Sequence, residues 1–272
     1  MKISVIIPTY NAESVSLDCL RSLASQSLKD FEIIVVDDGS TDTTVEKLED
    51  VMVLHQNHLG AGAARNLGAK QAKGDILVFV DADMTFDRNF LKMLVKPILS
   101  GKSNGTFSKD EYVSNWNNVW SRCWNINEGW VDKKRHPKDY PDHQKVFRAI
   151  LKSEFDKVGG FTAGGYNDDW SLSEKLRYEA TVVEKAIFFH KNPDNLKEIY
   201  THAKWIGKRS YKLGAIGYMV ALVRSSLPVS IIIGLVKSFI YSRPMFLIFK
   251  VVYDSGIFIG ILSYIFTKKG AK

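Results

Sequence analysis

Four apolar runs separated by helical stretches fill the first hundred residues, and this alternation narrows the fold more than any other feature of the chain. ISVIIP (3–8), FEIIVVDD (31–38), VMVLH (51–55) and ILVFV (76–80) read as strands. The spacing predicts a helix through Leu20 and Leu23, a short one from Thr41, one from about Ala61 to Ala72, and another around Phe90–Ile98. Strands alternating with helices predict an α/β domain, with a Rossmann-like, mostly parallel central sheet and helices on both faces. In such sheets ligands bind beyond the carboxyl ends of the strands. The polar residues gather there: Thr9, Tyr10 and Asn11; Asp37 and Asp38; Asn57; Asp81 and Asp83.

The middle of the chain is less regular. Residues 109–130 read as a helix, VFRAIL (146–151) as a strand passing into a helix, and TVVEKAIFFH (181–190) as a late strand. GGFTAGGYNDD (159–169) is a Gly-rich loop ending in acids, and a helix is expected from Trp170 to about Tyr178. Residues 213–266 are apolar with sparse charges. The run 244–266 has the length needed to cross a hydrocarbon core of roughly 30 Å, but it carries Lys250 and Asp254, which are costly in lipid and spaced to pair on a helix. The run 225–241 carries Lys237. Spanning, lying in the interface and forming a buried helical subdomain all stay open.

Charge divides the chain. Residues 191–272 hold 13 Lys/Arg and 3 Asp/Glu, whereas residues 1–190 hold 24 and 27. A C-terminal third that is both basic and apolar suits a membrane surface better than nucleic acid, the plainer alternative being a basic solvated face. The two cysteines, Cys19 and Cys123, belong to no metal-binding or disulfide pattern, which fits a reducing compartment. MKISVIIPTYN reads as a first strand and not as a signal peptide, because Pro8 and Asn11 follow the apolar run at once.

The chemistry concentrates in a few places. ILVFVDADM (76–84) carries a buried strand straight into Asp81 and Asp83, two carboxylates that repel each other and call for a positive partner. Mg²⁺ or Mn²⁺ would answer that, since such ions take one or two carboxylates and complete their shell with substrate phosphates and water. A solvated acidic turn is the alternative. In VVDDGSTD (35–42), Ser40 or Thr41 suits a helix cap, and one of the two acids remains to accept a hydrogen bond from a base N–H. NHLGAGAARNLG (57–68) is not a dinucleotide fingerprint: Arg65 replaces the third glycine and the motif follows the third strand. A helix N-terminus with Arg65 one turn in still suits a phosphate. Asp168 and Asp169 open a helix, either as simple N-terminal acids or with one of them taking a proton from an acceptor hydroxyl. His190 ends the late strand, as a structural residue or a metal or phosphate contact.

In order along the chain, SVIIPTYNAE, IIVVDDGSTD, GAGAARNLG, VFVDADM, VGGF and DDWSL resemble the inverting nucleotide-sugar glycosyltransferases of family 2, which have the GT-A fold, over about residues 3–190. The resemblance implies a catalytic domain 1–190, with a nucleotide-sugar half to about 100 and an acceptor half after it. It implies that Pro8, Thr9, Tyr10 and Glu13 line the nucleotide pocket, that Asp38 bonds the base, and that Asn57 and Arg65 lie beside the nucleotide or its diphosphate. Asp81, with Ala82, would sit near ribose and metal, and Asp83 would hold the metal. The family's base is the second acid of the pair opening the helix, here Asp169. The usual pattern has Glu first and a third acid two residues after the base, where this chain has Asp168 and Ser171, so Asp168 stays a candidate.

The tail from residue 191 resembles that of membrane-attached family members, with Lys204, Lys208, Arg209 and Lys212 toward headgroups or phosphates. The terminal Lys268, Lys269 and Lys272 suggest an end that stays cytoplasmic. Trp116, Trp120 and Trp124 share one face if helical, a face for membrane, sugar or core, and Trp205 joins them as a candidate for acceptor or membrane contact. The expected partners are therefore a nucleoside-diphosphate sugar, a lipid-linked or glycan acceptor and a membrane surface, with no nucleic acid. A nucleotide-binding scaffold without turnover is disfavoured by the acids at 81, 83 and 169. A sugar-1-phosphate nucleotidyltransferase is disfavoured because PTYNAE is not a Gly-rich, Arg-containing loop.

Overall fold

The computed structural model describes residues 1–13, 16–48, 51–130, 132–162, 168–267 and 270. It divides into two compact units. The first comprises Met1–Tyr112 and Asp139–His190, the second Val113–Lys138 and Lys191–Lys272. The segment 113–138 thus belongs with the C-terminal helices, which a boundary drawn at residue 190 does not anticipate.

In the first unit, β1 (Ile3–Thr9) is buried at every position, and its two-residue period sends side chains into two cores. Ile3, Val5 and Ile7 join Cys19 and Leu23 of α1 (Ser16–Ala24) on one face, and Ile6 joins the opposite core. A strand covered on both faces has no polar side to alternate, hence the continuous apolar run. β2 (Phe31–Asp37) and β3 (Met52–His55) follow in parallel on one side of β1. Between them Val45–Lys47 makes a single 3-10 turn in place of the expected short helix. After α2 (Ala61–Gln71), β4 (Ile76–Phe79) pairs in parallel on the other side of β1. That ladder ends at Ile6 and Phe79, so Pro8 sits in a central strand without depriving a neighbour of a donor.

Beyond β4 come β5 (Met84–Phe86), α3 (Phe90–Leu99), β6 (Gly105–Ser108), β7 (Glu111–Val113), α4 (Val119–Glu128), β8 (His143–Gln144), β9 (Ala149–Leu151), α5 (Lys152–Lys157), α6 (Ser171–Leu176), β10 (Ala180–Val183) and β11 (Phe188–His190). The main sheet runs β3-β2-β1-β4-β9-β6-β10-β8, with β9 antiparallel to both neighbours, and a small sheet runs β5-β11-β7. Two expectations need correction. Residues 109–130 hold a strand, turns and only then a helix, because Asn118 caps α4 by accepting from the Trp120 and Ser121 N–H groups. The stretch 181–190 is two strands in two sheets, split where Lys185 turns to φ +64° and gives its N–H to Asp110.

Gly68 lets α2 lie close on the sheet. An added Cβ would stand 2.5 Å from Ile6 Cγ2 and 3.2 Å from Val36 Cγ2. Gly68→Ala should therefore lift the helix and cost about 1–3 kcal/mol, read as a lower midpoint of denaturant unfolding. An unchanged midpoint would contradict this packing.

The second unit is helical. To α4 it adds α7 (Leu196–Gly207), α8 (Gly214–Arg224), α9 (Leu227–Ile240) and α10 (Met245–Thr267) around a core that includes Trp124, Ile199, Phe246, Phe249 and Tyr253. Small residues bring α7 and α10 together: Ala203 and Gly207 face Gly256 and Gly260, and a Cβ on Gly256 would lie 2.6 Å from the Tyr200 carbonyl. Lys250 and Asp254 pair at 2.8 Å as their spacing suggests, and the Ser230 hydroxyl donates to the other Asp254 oxygen. Among the described residues α10 is the one helix long and apolar enough to cross a membrane, with mean hydropathy 1.9, and α8 and α9 meet at a 59° bend.

Candidate active site

The positive partners demanded by the two acids after β4 are on the chain itself. Arg65 Nη2 lies 2.8 Å from one Asp81 oxygen and Arg148 Nη1 3.2 Å from the other. Arg65 comes from the second turn of α2 and lies over the Phe161 ring; Arg148 lies over Phe188. The Arg148 backbone is fixed between strands, donating to the Thr106 carbonyl and accepting from the Phe79 N–H. Burial pushes the Asp81 carboxyl up, but Arg148 and then Arg65 outweigh it and hold it well below the usual carboxylate range. Burial pushes Arg148 down, and Asp81 and Glu111 more than restore it. Sequence reasoning missed Arg148. Its signal was a lone guanidinium inside the apolar run VFRAIL.

Asp83 faces His190. The ring Nε2 is 2.9 Å from Asp83 Oδ2, and Nδ1 is 3.0 Å from Glu111 Oε1, a second residue that sequence reasoning missed. The small sheet makes this possible, since β11 delivers His190 and β7 delivers Glu111. The Asp83 and His190 side chains share a hydrogen bond, and a carboxylate with an imidazole beside it is the pair that would hold a divalent cation. Asp81 does not join them, because both its oxygens already meet arginines. No group of three or more His, Cys, Asp or Glu with metal-holding geometry occurs among the described residues.

The acidic pair ahead of α6 has divided roles. Asp168 Oδ2 accepts the Gly62 N–H at 2.7 Å, and its other oxygen is 3.9 Å from Arg65 Nη1. The approach is close: a Cβ on residue 62 would stand 2.8 Å from the Asp168 Oδ2 oxygen, so a larger residue would push the carboxylate aside. The Asp169 carboxylate makes no hydrogen bond or ion pair among the described residues. Burial pushes its carboxyl up, Arg65 opposes this, and Asp168 adds to it. Asn66 exchanges two hydrogen bonds with the Phe161 backbone, which fixes the GGF turn against α2. Residues 163–167 of the Gly-rich loop lie outside the described residues.

The nucleotide-pocket residues separate into walls and open positions. Asp38 is buried, and its oxygens take the Leu59 and Gly60 N–H groups and the Gln56 amide, with His58 at 3.0 Å. It therefore shapes the loop ahead of α2, and its carboxylate is not left open for a base. The start of α2 is corrected likewise: Asp38 and Asp168 hold the Gly60 and Gly62 amides that a phosphate was expected to find. Thr9 is buried with its hydroxyl unpartnered among the described residues, and the exposed Tyr10 stacks on His58 at 4.1 Å. Pro8 and Ala82 are buried, Asn57 is exposed, and the Glu13 N–H donates to Asp42.

In the second unit the tryptophan stripe dissolves. Trp116 precedes α4, Trp124 is core, and Trp120 packs against that core. Trp205 is exposed on α7, and Lys208 and Arg209 follow that helix, with Arg209 over the Tyr211 ring. Lys268, Lys269 and Lys272 lie outside the described residues.

The glycosyl transferase family 2 model matches residues 4–166. The chain belongs to glycosyl transferase family 2. Among its relatives, the glycosyltransferase GlyA of Streptococcus pneumoniae is 36% identical over 105 residues, 36% of this chain and 15% of that protein. The poly(ribitol-phosphate) beta-N-acetylglucosaminyltransferase TarS of Staphylococcus aureus is 42% identical over 102 residues, 34% of this chain and 18% of its own length. The match thus spans less than a fifth of either relative. Among solved structures, S. aureus TarS in complex with UDP-GlcNAc superposes with TM-score 0.58 and 19% identity, covering 97% of this chain and 91% of that one. The mannosyltransferase PcManGT of Pyrobaculum calidifontis, in complex with GDP-Man and Mn²⁺, gives 0.60 and 17%, covering 98% and 88%. The likeness is one of fold, and this family 2 chain has the GT-A architecture.

Proposed function

We propose that this family 2 chain transfers a sugar from a nucleoside-diphosphate sugar to an acceptor, inverting the anomeric centre, at a membrane surface. One observation carries the reading. Asp38, Asp81 and Asp168 are each committed to N–H or guanidinium partners, while Asp169 keeps its carboxylate clear of them in surroundings that raise its proton affinity. Such a group suits removal of a proton from an acceptor hydroxyl. Asp169 takes that proton as the acceptor oxygen attacks C1 from the face opposite the diphosphate. The new C–O bond forms as the bond to the diphosphate breaks, through an oxocarbenium-like state. The nucleoside diphosphate leaves with the electron pair, and Arg65 and Arg148 meet the growing charge. A divalent cation, held by Asp83 and His190 when bound, adds neutralisation of the diphosphate. Thr9 and Tyr10 line the nucleotide side.

The acceptor is a glycan or a lipid-linked glycan or phosphate. Support for the membrane comes from the second unit, where α8 and α9 expose Ile216, Met219, Val223, Ile232, Leu235 and Phe239, the last at 87%. Soluble monomers rarely leave an apolar patch of that extent open. We read these helices as lying in the interface on the cytoplasmic face, with Lys204, Lys208, Arg209 and Lys212 near headgroups.

The test is a panel of UDP- and GDP-sugars with Mg²⁺ or Mn²⁺, read as sugar transfer or donor hydrolysis. Asp83→Asn should need about 10–100-fold more metal for half-maximal activation. Equal metal dependence in both proteins would end the metal assignment, and a panel without turnover would end the transferase reading.

A further inference from the structure

The second unit contains a cavity of about 490 Å³ lined by α4, α7, α8, α9 and α10. Four cations border it, Arg209, Arg224, Lys237 and Lys250, against two acids, Glu128 and Asp254. One acid is paired with a cation, and the lining keeps a balance of two positive charges. Asp254 meets Lys250 and the Ser230 hydroxyl, and Glu128 accepts from the Tyr253 hydroxyl at 3.3 Å. Lys237 reaches only a neutral oxygen, the Ile126 carbonyl at 3.2 Å, besides lying over the Phe246 ring. Among the described residues no carboxylate pairs with Arg209, Arg224 or Lys237. A recess with an excess of cations attracts an anion with several acceptor oxygens.

The surroundings say which anion. Val220 lines the cavity and is also half exposed within the apolar flank that α8 presents with Met219 and Val223, while Arg224 at the end of α8 is exposed. A basic recess set into an apolar surface matches a molecule with a phosphate at one end and hydrocarbon at the other. A phosphate ion from solution has no use for the apolar border.

We propose that this cavity is a binding site for the phosphate of an anionic membrane lipid, with Arg224 and Lys237 as its principal contacts. The inference rests on the membrane-surface reading above and assigns it a specific pocket. The lipid phosphate enters beside Val220, and its chains lie along α8 and α9.

Vesicle flotation of the full chain tests this, with phosphatidylcholine alone and with phosphatidylcholine containing phosphatidylglycerol. The wild-type protein should prefer the anionic vesicles, and Arg224→Gln with Lys237→Gln should weaken that binding about 30-fold. Ala221→Trp, which fills the cavity and keeps every charge, should remove most of the same preference at an unchanged melting temperature. Wild-type binding by Ala221→Trp, with weakening only in the charge variant, would mean diffuse attraction and overturn the site while leaving the membrane reading intact. No vesicle binding by the wild type would overturn both. Binding of inorganic phosphate to the wild type without vesicles, abolished by Ala221→Trp, together with equal binding to both kinds of vesicle, would assign the pocket to soluble phosphate and overturn the lipid assignment.

Discussion

Asp169→Asn should lower sugar transfer about 10²–10⁴-fold, the range that a positioned general base contributes, while donor affinity stays within about twofold. The affinity holds because Asp169 contacts none of the groups assigned to the nucleotide. The pH profile provides a second readout. Burial raises the Asp169 carboxyl above its ordinary value, so the acidic limb of kcat/KM belongs above about 3.9, the unperturbed Asp value. Arg65 pulls that carboxyl down, so Arg65→Gln should move the limb to higher pH. Asp168→Asn should behave differently. An Asn oxygen still accepts from Gly62, and the variant should keep most of its turnover. Full activity in Asp169→Asn together with collapse in Asp168→Asn would transfer the role to Asp168. Full activity in both would place the anionic oxygen on the acceptor itself, as with a phosphate.

Arg148→Met should produce the largest loss of stability. Removing one partner of a buried ion pair costs about 3–5 kcal/mol. Asp81 keeps Arg65 and retains some solvent contact, so about 2–3 kcal/mol is expected, near 5–10 °C in melting temperature. The pH dependence has a definite sign. The folded Asp81 carboxyl lies below its unfolded value, so the stability it contributes is fully present above about pH 4 and fades as pH falls further. The gap between wild type and Arg148→Met should hold steady from about pH 5 upward and narrow below about pH 4. A gap that widens in acid would show that Arg148 supports something other than this carboxylate.

The parallel half of the sheet was legible because its strands are covered on both faces, so burial writes itself as unbroken apolar runs. Residues 109–130 misled because the tryptophan spacing imitates a helix. Asn115 and Asn118 instead spend their side chains on the Asn192 and Asp194 carbonyls and on capping α4, local bonds that compete with a helix. The acids of the site were visible at strand ends, as were Arg65 and His190; the pairing of these residues, and the parts of Arg148 and Glu111, were not. Arg148 reaches Asp81 from just ahead of β9, His190 reaches Asp83 from β11, and Glu111 on β7 backs that histidine, so no local pattern announces such meetings. Asp38 looked open for a ligand because nothing in DDGS reveals that the loop at 56–60 closes over it.

The hydrogen bond from Gly62 to Asp168 ties the first turn of α2 to the acidic pair ahead of α6. Asp168 is the immediate neighbour of Asp169, the proposed proton acceptor, and Gly62 sits one turn ahead of Arg65 on the same helix. A shift of α2 at Gly62 therefore either carries the backbone at residues 168 and 169 with it or breaks this bond.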